Sequence, residues 1–246
     1  SSDYAFNIYK TKTNGFIVAG TTFSNNGDVI GNHGNGTSDV WILRLDDNGD
    51  VIWKKCFGGT MNETGQSVIQ SPDYGFIIAG SSSSANGELT GNHGYIDGWL
   101  CKTDSSGNIL WQKNYGGWGY DVFRSVIVSQ DNSIIVAGNA DSTPVITNGT
   151  KLQQNVWVMK ANATGTPIWS IAYGGSADEG AYSIQQLIDN SFLVTGYTFS
   201  NNGDVIGNNG SMDAWQIKIN ENGNLNWQKC IGTSKNDIGM AGFYLS

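Results

Sequence analysis

Phe-Ile-Val-Ala-Gly at 16–20 returns as Phe-Ile-Ile-Ala-Gly at 76–80, Ile-Ile-Val-Ala-Gly at 134–138 and Phe-Leu-Val-Thr-Gly at 192–196. The steps between successive copies are 60, 58 and 58 residues. A short run of consecutive apolar residues closed by glycine reads as a β-strand covered on both faces. Its return at a fixed step marks a repeat protein. Two tryptophan series keep the same step. Trp41, Trp99, Trp157 and Trp215 are each followed by two mostly apolar residues and a base (Arg44, Lys102, Lys160, Lys218), and Trp53, Trp111, Trp169 and Trp227 form the second series. Eight of the nine tryptophans thus fall at two repeat positions.

Within the repeat 58–115, four β-like runs stand between turn signals: Gln66–Gln70, Phe76–Gly80, Gly98–Lys102 and Ile109–Lys113. The second is apolar at consecutive positions, whereas the first and last alternate more and are expected to be less enclosed. Asp-Ser-Ser-Gly-Asn at 104–108, Asp-Asp-Asn-Gly-Asp at 46–50 and Asn-Glu-Asn-Gly-Asn at 220–224 are hairpin turns in which glycine supplies the positive φ. Helical periodicity is absent, so an all-β fold is expected.

Four-stranded repeats of this length suggest the blades of a β-propeller. The repeats are 1–57, 58–115, 116–173 and 174–231, in a single domain over 1–246, with 232–246 starting or closing a further repeat. Both 2–11 and the segment from Gly232 align with the first strand of a repeat. The sequence therefore leaves open a four-bladed ring or a segment of a larger propeller, and a β-solenoid is a further alternative.

In an up-and-down meander the loop between strands two and three emerges beside the loop that joins one repeat to the next. That parity places the long loops 21–38, 81–96, 139–154 and 197–212 next to the Gly-Gly loops 58–63, 116–121 and 174–178, giving one loop-rich, acidic face. Loops on a rigid scaffold are where binding resides. Asp28, Glu88 and Asp204, with Asn32, Asn92 and Asn208, have the chemistry to hydrogen-bond sugar hydroxyls or to ligate calcium. Their competing role is structural, because Asn and Asp beside glycine satisfy their own turns. His33 and His93 occupy equivalent loop positions, replaced by Asn209 in the fourth repeat, and no second nitrogen or thiolate lies near them in sequence to make a metal site. Asp39, Asp97 and Asp213 precede the strand-three tryptophan, with Asn155 in the third repeat. Together with the inter-repeat acids Glu63, Asp121, Asp178 and Asp237 they recur, and recurrence argues for architecture. The repeated tryptophans read as packing between blades. Trp118, in Gly-Gly-Trp-Gly-Tyr-Asp at 116–121, breaks the pattern, and with Tyr120 it is the candidate for an exposed aromatic contact.

Glycine supplies 34 of 246 residues, about twice the ordinary share, while charged residues are 14%. This is turn chemistry. A formal charge of −8 without a long basic cluster excludes nucleic acid as a natural partner. No apolar run reaches the ~20 residues of a membrane span. No signal-peptide pattern opens the chain, so an export signal is expected to be cleaved or to lie outside this sequence. Cys56, Cys101 and Cys230 are an odd number without Cys-x-x-Cys spacing and suggest neither zinc nor a disulfide framework.

The motifs Gly-Gly-x4-Glu/Asp, Gly-Phe-Ile-Ile-Ala-Gly, Gly-Asn-His-Gly, Asp-Gly-Trp and Asp-Ser-Ser-Gly-Asn-Ile-Leu-Trp-Gln-Lys resemble the β-propeller repeats of large secreted or surface-attached bacterial proteins. That resemblance covers essentially the whole chain. It implies export to a periplasmic, extracellular or cell-surface setting and an interaction role, and it brings no catalytic residues. With no Ser/His/Asp grouping, phosphate loop or His-Glu metal motif in the sequence, the expectation is a non-catalytic binding module or scaffold for a protein partner. The alternative is a lectin-like propeller that binds glycan at several sites. No cofactor is expected, calcium at Asp28, Glu88 and Asp204 being the one candidate.

Overall fold

The computed structural model describes residues 2–34, 36–141 and 153–241. Sixteen strands form four antiparallel sheets, each a simple meander of four consecutive strands, and no helix occurs among the described residues. Sheet one holds β1 (Asp3–Lys10), β2 (Phe16–Thr22), β3 (Asp39–Leu45) and β4 (Val51–Phe57); sheet two holds β5 (Glu63–Gln70), β6 (Phe76–Ser82), β7 (Asp97–Thr103) and β8 (Ile109–Tyr115). Sheet three holds β9 (Val122–Val128), β10 (Ile134–Ala140), β11 (Asn155–Ala161) and β12 (Pro167–Tyr173); sheet four holds β13 (Glu179–Gln186), β14 (Phe192–Thr198), β15 (Asp213–Ile219) and β16 (Leu225–Ile231). The chain divides into two compact units, Ser1–Trp118 with the first two sheets and Gly119–Ser246 with the last two. The segment 143–149, where the third long loop departs from the others, lies outside the described residues.

The motif that opens each second strand owes its glycine to a bulge in the first. The β5–β6 register shifts between Gly65 and Ser67, so two residues of β5 face one of β6. The bulge brings the Thr64 carbonyl over Gly80, where a Cβ would lie 1.8 Å from that oxygen. Gly20 and Gly196 meet the Tyr4 and Gly180 carbonyls in the same way. The base after each first-series tryptophan also has a structural reason. Lys102 Nζ donates to Asp73 (2.6 Å) and Ser71 (2.7 Å), and Lys218 Nζ donates to Asp189 at 2.6 Å, tying strand three to the turn between strands one and two. Arg44 does the same work through the carbonyls of Phe16 and Asn14.

Within each unit the two sheets stack face to face, β5 lying over β1, β2 and β3 and β13 over β9, β10 and β11. In the first unit Ile17, Ala19, Ile42 and Phe57 of sheet one meet Val68, Phe76, Ile78 and Trp99 of sheet two in one cluster. Trp53 adds an edge contact to Phe76 at 5.8 Å, and its indole donates to the Ser105 carbonyl of the next sheet at 3.2 Å. Trp169 repeats that bond to Glu221 at 3.1 Å. Trp53 and Trp169 therefore pin blade against blade, and Trp99 is buried in the joint between the first two sheets, as their recurrence suggested. β5 begins at Glu63, alternates between buried and half-buried positions and is less enclosed than the fully buried β6, as expected. The outer strand β8 is half-buried as expected.

Candidate functional site

The long loops are near-copies because each is pegged to the core in the same way. Val29, Leu89 and Val205, one per loop, are 2%, 0% and 0% exposed. The amides of Asn32, Asn92 and Asn208 donate to the carbonyls of Thr22, Ser82 and Thr198 at 3.0, 2.8 and 3.4 Å. Their side-chain oxygens accept from Gly34, Gly94 and Gly210. Glu88 accepts from Gly58 N at 3.3 Å and Asp204 from Gly174 N at 3.0 Å, fastening each loop to the linker that enters its blade. The long loops thus lie beside the linkers within each unit, as parity required. Asp28 stands apart: its carboxylate is 88% exposed, 3.4 Å from Lys54. The three asparagines spend their polar atoms on their own loops. Among the described residues no group of three or more His, Cys, Asp or Glu side chains is placed to hold a metal.

The histidines have partners that the sequence reading missed. His33 Nδ1 lies 2.6 Å from Asp39 Oδ2, and His93 Nδ1 lies 2.7 Å from Asp97 Oδ2. Each aspartate also accepts the backbone N–H of its histidine, and Asp213 does this for Asn209. The signal was the joint recurrence of loop histidine and strand-three aspartate. Asp39 is fully buried, and Gly58 leaves room for it: a Cβ there would lie 2.3 Å from the carboxylate. Glu63, also buried, accepts from Gly59 N, Ser82 Oγ and Ser84 N. In the fourth blade this role belongs to Glu179, which accepts from Gly175 N and Thr198 Oγ1, whereas Asp178 is exposed. A step of 58 from Asp121 leads to 179, so the repeat itself marks the correct residue.

These groups give the first unit a pH dependence with a defined sign. Burial alone would lower the His33 pKa, but the hydrogen bond to Asp39 and the charges of Glu88, Asp39 and Glu63 outweigh it and raise it above the ordinary imidazole value. Burial raises Asp39 and Glu63 against their hydrogen bonds. A raised imidazole contributes stability below the unfolded pKa of about 6.5, and that contribution is lost as pH rises through the folded value. Ionising buried carboxyls with raised pKa values costs stability in the same direction. The thermal midpoint of the first unit is therefore expected to fall from about pH 6 to pH 9. His33→Asn, which copies Asn209, should flatten the slope; calorimetry across that range checks both, and an equal slope in the variant would refute the assignment.

Trp118 is 89% exposed, the most exposed of the large apolar side chains described, and Tyr95 is 72% exposed. A Cβ on Gly94 would lie 2.5 Å from the Trp118 Cα, so the linker after blade two rests on the loop that carries Tyr95. Two exposed aromatics thus share one corner of the loop-rich face. Sequence reading found Trp118 and missed Tyr95, although Ser211 holds the equivalent position in the fourth repeat. Tyr120, in the second unit, is half-buried with its N–H bonded to Asp141. The cysteines are free thiols, and burial pushes Cys56 up to about 12 and Cys230 to about 11, so neither is a nucleophile at neutral pH.

No family model matches the chain. A solved structure from Dyadobacter fermentans, of a protein of unknown function, superposes with a TM-score of 0.55 at 12% identity, covering 93% of this chain and 69% of that one. The fold is a propeller-like repeat fold. A protein of unknown function from Bacteroides caccae matches with a TM-score of 0.46 at 10% identity, over 97% of this chain and 86% of that one. An uncharacterised WD repeat-containing protein of Acanthamoeba polyphaga mimivirus is 22% identical over 120 residues, 45% of this chain. The chain spans 9% of the length of that relative.

Proposed function

We propose that this chain is a non-catalytic binding module that engages a protein partner through the loop-rich face, in a secreted, periplasmic or cell-surface setting. The observation that carries this reading is the Trp118–Tyr95 corner. Two large aromatics are held in water at positions where other repeats carry small polar residues, Thr60 and Ser176 for Trp118, and exposed aromatic anchors are what binding hot spots are made of. The repeat fold, shared with a relative named for its WD repeats, supports an interaction role. A chain of net charge −8 favours a partner segment rich in Lys and Arg, whose cations stack on indole and phenol faces.

Titrating the chain with cationic peptides containing Arg, and following tryptophan fluorescence, tests this. Trp118→Ala should weaken binding about 30-fold, as loss of a hot-spot aromatic does. The folded state should change by less than about 0.5 kcal/mol, since the side chain packs against nothing it must leave. Unchanged affinity in Trp118→Ala would exclude the corner as the site. A lectin reading rests on the same indole, which could stack on a sugar ring. It would appear as saturable binding on a glycan array, with one Trp118-dependent site per chain rather than several.

A further inference from the structure

Within the second unit, blades three and four enclose a polar cleft of about 270 Å³ at the end of their sheets opposite the long loops. Blade three contributes Gln130 and Asp131 from the β9–β10 turn and Lys160 from the end of β11. Blade four contributes Gln186 from the end of β13, Asn190 from the turn after it and Glu221 from the β15–β16 hairpin. Phe192 lies beneath them, 1% exposed.

Part of this cleft is scaffold. Gln186 Oε1 accepts from Gln130 N at 2.9 Å, and in the first unit Gln70 Oε1 accepts from Lys12 N at 2.7 Å. Lys160 Nζ donates to Asp131 at 2.7 Å, as Lys102 does to Asp73 and Lys218 to Asp189 at 2.6 Å each. Three other groups depart from the joint of blades one and two: Gln130, Asn190 and Glu221 stand where that joint carries Lys12, Tyr74 and Ser105. What every joint needs recurs, whereas what serves a ligand has to occur only once. The Gln130 amide and the Glu221 carboxylate are exposed and meet no partner among the described residues.

The chemistry of the cleft selects its ligand by elimination. Lys160 and Asp131 neutralise each other, and Asp131 spends its second oxygen on Ser129 Oγ and Ser133 N. An anion would therefore face Glu221 with no free cation opposite. A lone cation would gain only an exposed pairing with Glu221, which is worth little in water. Phe192 is too deeply buried to offer apolar surface. What remains is the amides of Gln130, Gln186 and Asn190, which donate and accept, the two N–H bonds that Lys160 keeps, and the Glu221 carboxylate. Mixed donors and acceptors of this kind match hydroxyls, which also do both. The volume lies just below the ~300–1,000 Å³ of sites for drug-sized molecules, which suits a single pyranose ring.

We propose that the cleft between blades three and four binds one neutral hexose residue, its hydroxyls shared between the amides of Gln130, Gln186 and Asn190 and the Glu221 carboxylate. The site has no residue in common with the Trp118 corner, and neither depends on the other.

Heteronuclear NMR of the full chain, titrated with the methyl glycosides of glucose, galactose and mannose, tests the site. At least one sugar should bind saturably at a single site, with a Kd of about 1 mM. The Trp169 indole N–H, which donates to the Glu221 carbonyl at 3.1 Å, should shift as the site fills, and that of Trp118 should not. Glu221→Ser and Gln130→Lys install the residues that the first unit carries at these places, so the fold accepts them. Each should weaken binding about fivefold, as loss of one hydrogen bond does, with the thermal midpoint kept. Absence of binding by all three sugars up to about 100 mM, far above that Kd, overturns the proposal. So does binding that Trp118→Ala removes and Glu221→Ser spares, which would move the sugar to the corner. A shift at Trp169 with methylamine but with no sugar would make the cleft a cation site and likewise overturn it.

Discussion

Alanine at Gly80 is expected to cost the first unit about 3 kcal/mol, at the upper end of what overpacking costs in a well-packed interior. The added methyl would meet the Thr64 carbonyl oxygen at 1.8 Å. No rotamer can relieve that contact, because both atoms are fixed by backbone, and the two residues before it, Ile78 and Ala79, are fully buried. Relief requires the bulge in β5 to open, which breaks the β5–β6 register and lifts Glu63 from its bonds to Ser82 and Ser84. Urea unfolding should show a lower midpoint with an unchanged slope. A midpoint within error of the parent would mean that the bulge is not what the glycine serves. Ser81→Ala, one residue on, loses only a hydroxyl bonded to Thr64 and serves as the control.

Trp99→Ala should cost about 4 kcal/mol, the range for deleting a fully buried aromatic. Its ring is 0% exposed in the joint between blades one and two, and its indole donates to Gln112 at 3.1 Å. Trp41 occupies the same repeat position but is only half-buried, with its indole nitrogen unpaired. Trp41→Ala should therefore cost less than half as much. Two substitutions that are identical in sequence logic differ in consequence only through what covers them. Denaturant midpoints of the two variants measure that difference directly, and equal losses would show that burial of the ring does not set the cost.

The repeat made much of the fold legible. Strand number, turn positions and the all-β class follow from period-two patterning, glycines at positive φ such as Gly107 (78°), and the 58-residue step, all of which report local backbone and average burial. The candidate site was less legible. Asn32 and Glu88 look alike as ligand donors in sequence, and both turn out to be committed internally, Asn32 to its own loop and Glu88 to a linker 30 residues away. The His33–Asp39 bond was hidden because a hydrogen bond between side chains leaves no periodic trace. Trp118 announced itself by breaking the repeat, but its neighbour Tyr95 became visible only when Gly94 was seen against the Trp118 backbone.

What the sequence by itself determined is thus the blade: four strands, their order and the residues that must be small. What only the tertiary structure decided is the use of each face and each polar atom. The physical reason is that burial and hydrogen-bond closure depend on the neighbouring blade. Ile8 and Val68 share one place in the repeat, yet Val68, laid against the first sheet, is 2% exposed and Ile8 is 61% exposed.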